Sequence, residues 1–167
     1  NCLMKLLLTS SGNTNKSIEK TLLDLLGKPF KKANLIFGPT AANVDEGDKS
    51  WLVDDMSNFK KLGFSLFDII DISAVPKKIW LPSFKNADVL VFGGGNVYHL
   101  LFWIYKSGLE KILPELLKTK VYVGISAGSM ITAKNISLST VGILYYDKYS
   151  GFKNENGLGF VDFELRP

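Results

Sequence analysis

The sequence predicts a three-layer α/β protein, with a mostly parallel β-sheet and helices on both of its faces. Three observations predict it. Short apolar runs of strand length alternate with amphipathic segments of helical period from Met4 to Met130. The runs are apolar at consecutive positions, as expected of strands buried on both faces. Two of them end abruptly in glycine-bearing loops, Gly93-Gly94-Gly95-Asn96 and Gly124-Ile125-Ser126-Ala127-Gly128.

Met4 to Thr9 reads as the first strand, stopped by Ser10-Ser11-Gly12-Asn13. Asn15 or Ser17 caps a helix that runs to about Leu26, with Ile18, Leu22, Leu25 and Leu26 on one face and Gly27 and Pro29 closing it. Ala33 to Phe37 is the second strand, broken by Gly38-Pro39-Thr40. Lys49 to Leu62 forms a second amphipathic helix through Trp51, Leu52, Met56, Phe59 and Leu62, and Ser65 to Ile72 forms the third strand. In Val75 to Phe84, Pro76 and Pro82 argue against a continuous helix or a central strand. Ala87 to Phe92 is the fourth strand, followed by helices over Val97 to Lys106 and Leu109 to Lys118, and the run from Val121 is the fifth. Val141 to Tyr146 and Gly159 to Leu165 read as further strands around the polar stretch Asp147 to Gly157.

At 167 residues, without a linker, repeat or low-complexity segment, the chain reads as one domain over 1–167. Its abrupt ending at Arg166-Pro167 makes that domain look C-terminally incomplete. A composition of 46% hydrophobic and 22% charged residues is that of a soluble globular protein. The net charge of +4 comes from lysines scattered in short pairs (Lys31-Lys32, Lys60-Lys61, Lys77-Lys78), which argues against a nucleic-acid footprint. One cysteine, Cys2, allows neither an intramolecular disulfide nor a Cys-rich metal site. A signal-peptide arrangement and an apolar run of about 20 residues are both missing from the sequence, so the expectation is a cytoplasmic protein without a membrane partner. A homodimer stays open.

The two glycine loops carry the chemistry. A strand running into G-x-S-x-G and then a helix is the pattern of a nucleophile elbow, which lifts Ser126 above the sheet. A side chain at Gly124 or Gly128 would crowd the neighbouring strand and helix. Ligands in open parallel sheets sit beyond the carboxyl ends of strands, so the two loops face one another if their strands are neighbours. The N–H of Ala127 and one from Gly94 or Gly95 could then hold an oxyanion. A phosphate loop is the competing reading of the triple glycine, but neither G-x-G-x-x-G nor G-x-x-x-x-G-K-[ST] is present. The single histidine, His99, precedes Ser126 in the chain, which makes it a weak base for an elbow serine.

The motifs Val91-Phe92-Gly93-Gly94-Gly95-Asn96 with Leu100-Leu101, Gly124-Ile125-Ser126-Ala127-Gly128-Ser129 and Gly157-Leu158-Gly159-Phe160 together resemble the peptidase E (aspartyl dipeptidase) and cyanophycinase family of serine peptidases. The resemblance covers most of the second half of the chain. It implies a fold like that of the class I glutamine amidotransferases (flavodoxin-like), a Ser-His-acid mechanism and a small peptide as substrate, without cofactor or metal. Residue by residue, it makes Ser126 the nucleophile, Gly95 and Ala127 the oxyanion-hole donors, and Gly94 and Asn96 substrate-binding. The family histidine follows a proline that matches Pro167, so the base is expected just after it. Ser137 to Val141, where the family carries its aspartate, has no carboxylate; Asp147, Glu155 and Asp162 lie nearby, and none is assigned. Two further classes remain beside a dipeptidase-like hydrolase: a catalytically inactive small-molecule-binding or regulatory module of the same fold, and a nucleotide-binding protein using Gly93 to Gly95.

Overall fold

Five parallel strands, β1 (Lys5–Thr9), β2 (Asn34–Gly38), β3 (Leu66–Ile69), β4 (Val89–Phe92) and β5 (Val121–Ile125), form one sheet in the order β1-β5-β4-β2-β3. The structure is a computed structural model and describes residues 3–137 and 154–166. Six α-helices join the strands among these residues: α1 (Lys16–Leu26), α2 (Ser50–Lys60), α3 (Lys77–Asn86), α4 (Val97–Lys106), α5 (Leu109–Leu116) and α6 (Ala127–Met130).

Alternation along the strands sends side chains to two cores. Leu35, Phe37, Val89, Val91, Val121 and Val123 pack on one face with Leu22 of α1 and Phe59 of α2. Ile36, Leu90, Phe92 and Tyr122 pack on the other with Trp80, Leu100, Leu113 and Ala127, from α3, α4, α5 and α6. Both faces of the sheet are therefore covered, as the consecutive apolar runs require. Local signals set several boundaries. Asn15 accepts from the Ile18 N–H at 3.0 Å to start α1, and Gly27 ends it in the left-handed region at φ 71°.

Two expectations are corrected. Lys77 to Asn86 is a helix despite Pro82 inside it. An interior proline costs about 3 kcal/mol. Trp80 and Phe84 on this helix are 1% exposed and pack at a tilt with ring centroids 5.3 Å apart, and each large side chain buried returns about 1.5–3 kcal/mol. Burial therefore outweighs the broken hydrogen bond. Gly159 to Leu165 is not a strand. The N–H groups of Leu158, Gly159 and Phe160 donate to the carbonyls of Ile131, Ala133 and Thr132, just past α6, and Gly159 has φ 67°. The start of this segment is therefore bonded to the turn after α6 rather than to a neighbouring strand. The expected strand Val141 to Tyr146 lies outside the described residues.

The architecture places one end of the sheet for function. After β1 the chain turns to the α1 face, and after the adjacent β5 it turns to the α6 face. Chains that diverge from neighbouring strands open a crevice at the carboxyl ends.

Candidate active site

Ser126 caps β5 with φ 48° and ψ −106°, and it is the one non-glycine residue at positive φ among the described residues. Such a conformation costs of order 1–3 kcal/mol and persists only where the surroundings enforce it. The enforcement is visible on both sides. A Cβ on Gly124 would stand 2.7 Å from the Ser129 backbone, and one on Gly128 would stand 1.9 Å from the Phe92 carbonyl oxygen. The elbow therefore packs its own helix and β4 through two positions that admit glycine alone.

Four hydrogen bonds to Thr9 fix the turn from β1. The Ser126 N–H donates to the Thr9 carbonyl at 2.9 Å. Ser129 O–H donates to the same carbonyl at 2.8 Å and accepts from the Thr9 N–H at 3.0 Å. Thr9 O–H in turn donates to the Gly124 carbonyl at 2.8 Å. Ser129 and Thr9 were not singled out from the sequence. The signal was the second serine of the S-A-G-S run, whose partner is distant in the chain.

The glycine loop after β4 lies beside this elbow, because Phe92 pairs with Gly124 in the β4–β5 register. A Cβ on Gly94 would come within 3.4 Å of the Ser126 Cβ. Gly95 has φ 131°, and a Cβ there would meet the Ala41 carbonyl oxygen at 2.3 Å. The Asn96 N–H donates to that carbonyl at 2.8 Å. Asp71 anchors the Ala41 turn by accepting from Thr40 O–H at 2.8 Å, from Ser73 and from Asn43. Among the described residues, the N–H groups of Gly95 and Ala127 donate to no protein acceptor.

Ser126, Gly94 and Gly95 line a cleft of about 310 Å³ with Ser10, Ser11 and Ile125. Trp51 and Asp55 of α2 complete its wall. This volume is at the small end for ligand pockets. Burial, with the like charge of Asp54 second, pushes the Asp55 carboxyl up to about 6. Leu165 and Arg166 line a neighbouring cavity with Thr9, Ser10 and Ser129.

The other expected residues fall outside the cleft. Asn96 is buried behind it, where its side-chain oxygen caps α4 by accepting from the Tyr98 and His99 N–H groups at 3.1 and 3.0 Å. His99 is 8% exposed on α4 and does not line the cleft; burial holds its imidazole below the usual range, with the Asp71 charge opposing. Glu155 meets Tyr98 O–H at 3.5 Å, and Asp162 pairs with Lys134 at the surface. Asp147 lies outside the described residues. Among the described residues, no cluster of three or more His, Cys, Asp or Glu side chains could hold a metal, and no helix is long and apolar enough to cross a membrane.

Comparison with known proteins is consistent with this geometry. The family model described as Peptidase family S51 matches residues 6–167. The chain is 27% identical over 149 residues to an uncharacterized peptidase of Pasteurella multocida, covering 87% of this chain and 69% of that protein. It is 44% identical over 84 residues to a peptidase E of Shewanella oneidensis, covering 50% of this chain and 34% of that one. A crystal structure of a peptidase E-type protein from Listeria monocytogenes superposes with a TM-score of 0.80 at 27% identity, over 96% of this chain and 77% of that one. The chain thus spans about a third to two thirds of the length of these curated relatives.

Proposed function

Since the chain belongs to peptidase family S51, we propose that it carries the nucleophile and oxyanion hole of a serine-type hydrolase acting on a small, dipeptide-like substrate. One observation carries this reading: strained Ser126 shares a cleft with the Gly94-Gly95 loop, while the Gly95 and Ala127 N–H groups lack protein acceptors among the described residues. Ser126 Oγ attacks the scissile carbonyl carbon as its proton passes to a base. The charge that develops on the carbonyl oxygen is met by the N–H groups of Gly95 and Ala127. Collapse of the tetrahedral species breaks the C–N bond, and the protonated base gives its proton to the leaving amine. Water then hydrolyses the acyl-serine ester by the same route in reverse. Gly94 leaves room above the nucleophile, and Asn96 holds the glycine loop to α4.

The base is a histidine supplied just after Pro167. Supporting this, Leu165 and Arg166 bring the chain alongside Thr9, Ser10 and Ser129, next to the elbow. The test is hydrolysis of a dipeptide panel by the full-length natural protein, with Ser126→Ala as control. Turnover that the substitution abolishes supports the reading, and turnover indifferent to it overturns it.

A second reading, a catalytically inactive binding module of the same fold, draws on a different observation: the residues lining the cleft include no histidine. Absence of a histidine within the two natural residues after Pro167 would favour it.

A further inference from the structure

Helix α2 turns Trp51 and Asp55, one helical turn apart, into the cleft that Ser126 lines. A spacing of four residues places them on one face of the helix. Leu52, Met56 and Phe59 of the same helix go to the core. An acid and an aromatic residue on a surface helix are ordinary by themselves. What sets this pair apart is the wall they share with the proposed nucleophile.

Each side chain favours a positive charge in that space. Asp55 is half-buried, the charge acting on it is the like charge of Asp54, and no cation among the described residues compensates it. A carboxylate in that setting gains more from an incoming cation than one in bulk water. Trp51 is 37% exposed and lies beside the glycine loop, where a Cβ on Gly94 would be 3.7 Å from its Cζ3. Indole is the best aromatic face for a cation. No lysine, arginine or histidine lines the cleft; Arg166 belongs to the neighbouring cavity, which shares Ser10.

We propose that Asp55 and Trp51 form a cation subsite that selects substrates bearing a positively charged side chain on the residue seated beside Ser126. The inference rests on the reading of Ser126 as nucleophile. The cleft's small volume suits one such side chain beside the scissile bond.

Three dipeptides that differ in one residue, lysine, norleucine or glutamate, test the subsite on the natural protein, with the α-amino group free in all three. The expected ratio of kcat/KM for lysine over norleucine is about tenfold, which corresponds to about 1.4 kcal/mol. Asp55→Asn should bring that ratio toward one, and Trp51→Leu should lower it in part. A ratio near one in the unsubstituted protein overturns the subsite, as does preference for glutamate. An equal slowing of all three peptides by Asp55→Asn also overturns it, since a scaffold role would act that way. If no peptide is turned over, it is the reading of Ser126 that fails, and calorimetry decides the subsite separately. Lysine amide binding more tightly than norleucine amide, with the difference lost in Asp55→Asn, supports it; equal affinities overturn it.

Discussion

Ser129 and Thr9, 120 positions apart, exchange two hydrogen bonds: the Thr9 N–H donates to Ser129 Oγ at 3.0 Å, and Ser129 O–H donates to the Thr9 carbonyl at 2.8 Å. The same carbonyl accepts from the Ser126 N–H, so β1 holds the elbow through one residue, Thr9. Ser129 is 2% exposed, so its removal leaves a donor and a shared acceptor short of partners. Ser129→Ala should lower stability by about 1–3 kcal/mol in chemical denaturation. It should also slow reaction at Ser126, while Ser129→Cys, which keeps a weak donor, should recover part of both.

The glycine loop separates two kinds of damage. Gly94 has a normal φ, and a Cβ there meets the Ser126 Cβ at an ordinary 3.4 Å. Gly94→Ala should fold with near-native stability and lose turnover by crowding the space above the serine. Gly95→Ala should fail in both respects, because φ 131° and the 2.3 Å approach to the Ala41 oxygen leave no place for a methyl group. If it displaces one oxyanion donor, the loss in kcat is about 10²–10³. Thermal melts set against rates distinguish the two variants.

Asp55 sets a pH dependence of stability. Its carboxyl sits at about 6 in the folded chain against a reference of 3.8, so the folded state holds the proton more tightly. Stability contributed this way is present below about pH 4 and is lost as pH rises through 6. Two units would cost about 3 kcal/mol, which solvent screening at this half-exposed position cuts to about 1 kcal/mol. Asp55→Asn should therefore be more stable than the parent at pH 7, with the gain vanishing toward pH 4. Denaturation midpoints at the two pH values check it.

Lys120 anchors the opposite end of the sheet. It is 8% exposed, and its ammonium donates to the Lys85 and Ala87 carbonyls at the end of α3. Burial pulls its pKa down, with Asp88 opposing. Lys120→Ala should cost about 2 kcal/mol by leaving two carbonyls short of a donor. Ser126 lies about 20 Å away along β5, so the reactivity of the folded variant should match the parent.

Much of this was legible in the sequence, and the reasons are local. Gly27 after α1, Asn15 before it and the glycines flanking Ser126 are each dictated by backbone geometry within a few residues, so their residue types reveal them. That the two glycine loops lie side by side was only a condition in the sequence, because strand order is set by pairing between distant runs; the β4–β5 register, with Phe92 opposite Gly124, establishes it. The helix through Pro82 was hidden because its stabilisation comes from Trp80 and Phe84 packing in a core that no local pattern displays. Gly159 to Leu165 carries a strand-like pattern, yet the N–H groups of Gly159, Phe160 and Val161 are taken by carbonyls just past α6. Thr9, Ser129 and Asp55 were invisible for the same reason: what gives them roles is a partner far away in sequence.

The most direct test treats the full-length natural protein with a fluorophosphonate and maps the adduct by mass spectrometry. The account predicts one modified residue, Ser126, with labelling lost in Ser126→Ala and kept in Ser10→Ala and Ser11→Ala. Absence of an adduct, or an adduct on Ser10, Ser11 or Ser129, would contradict it.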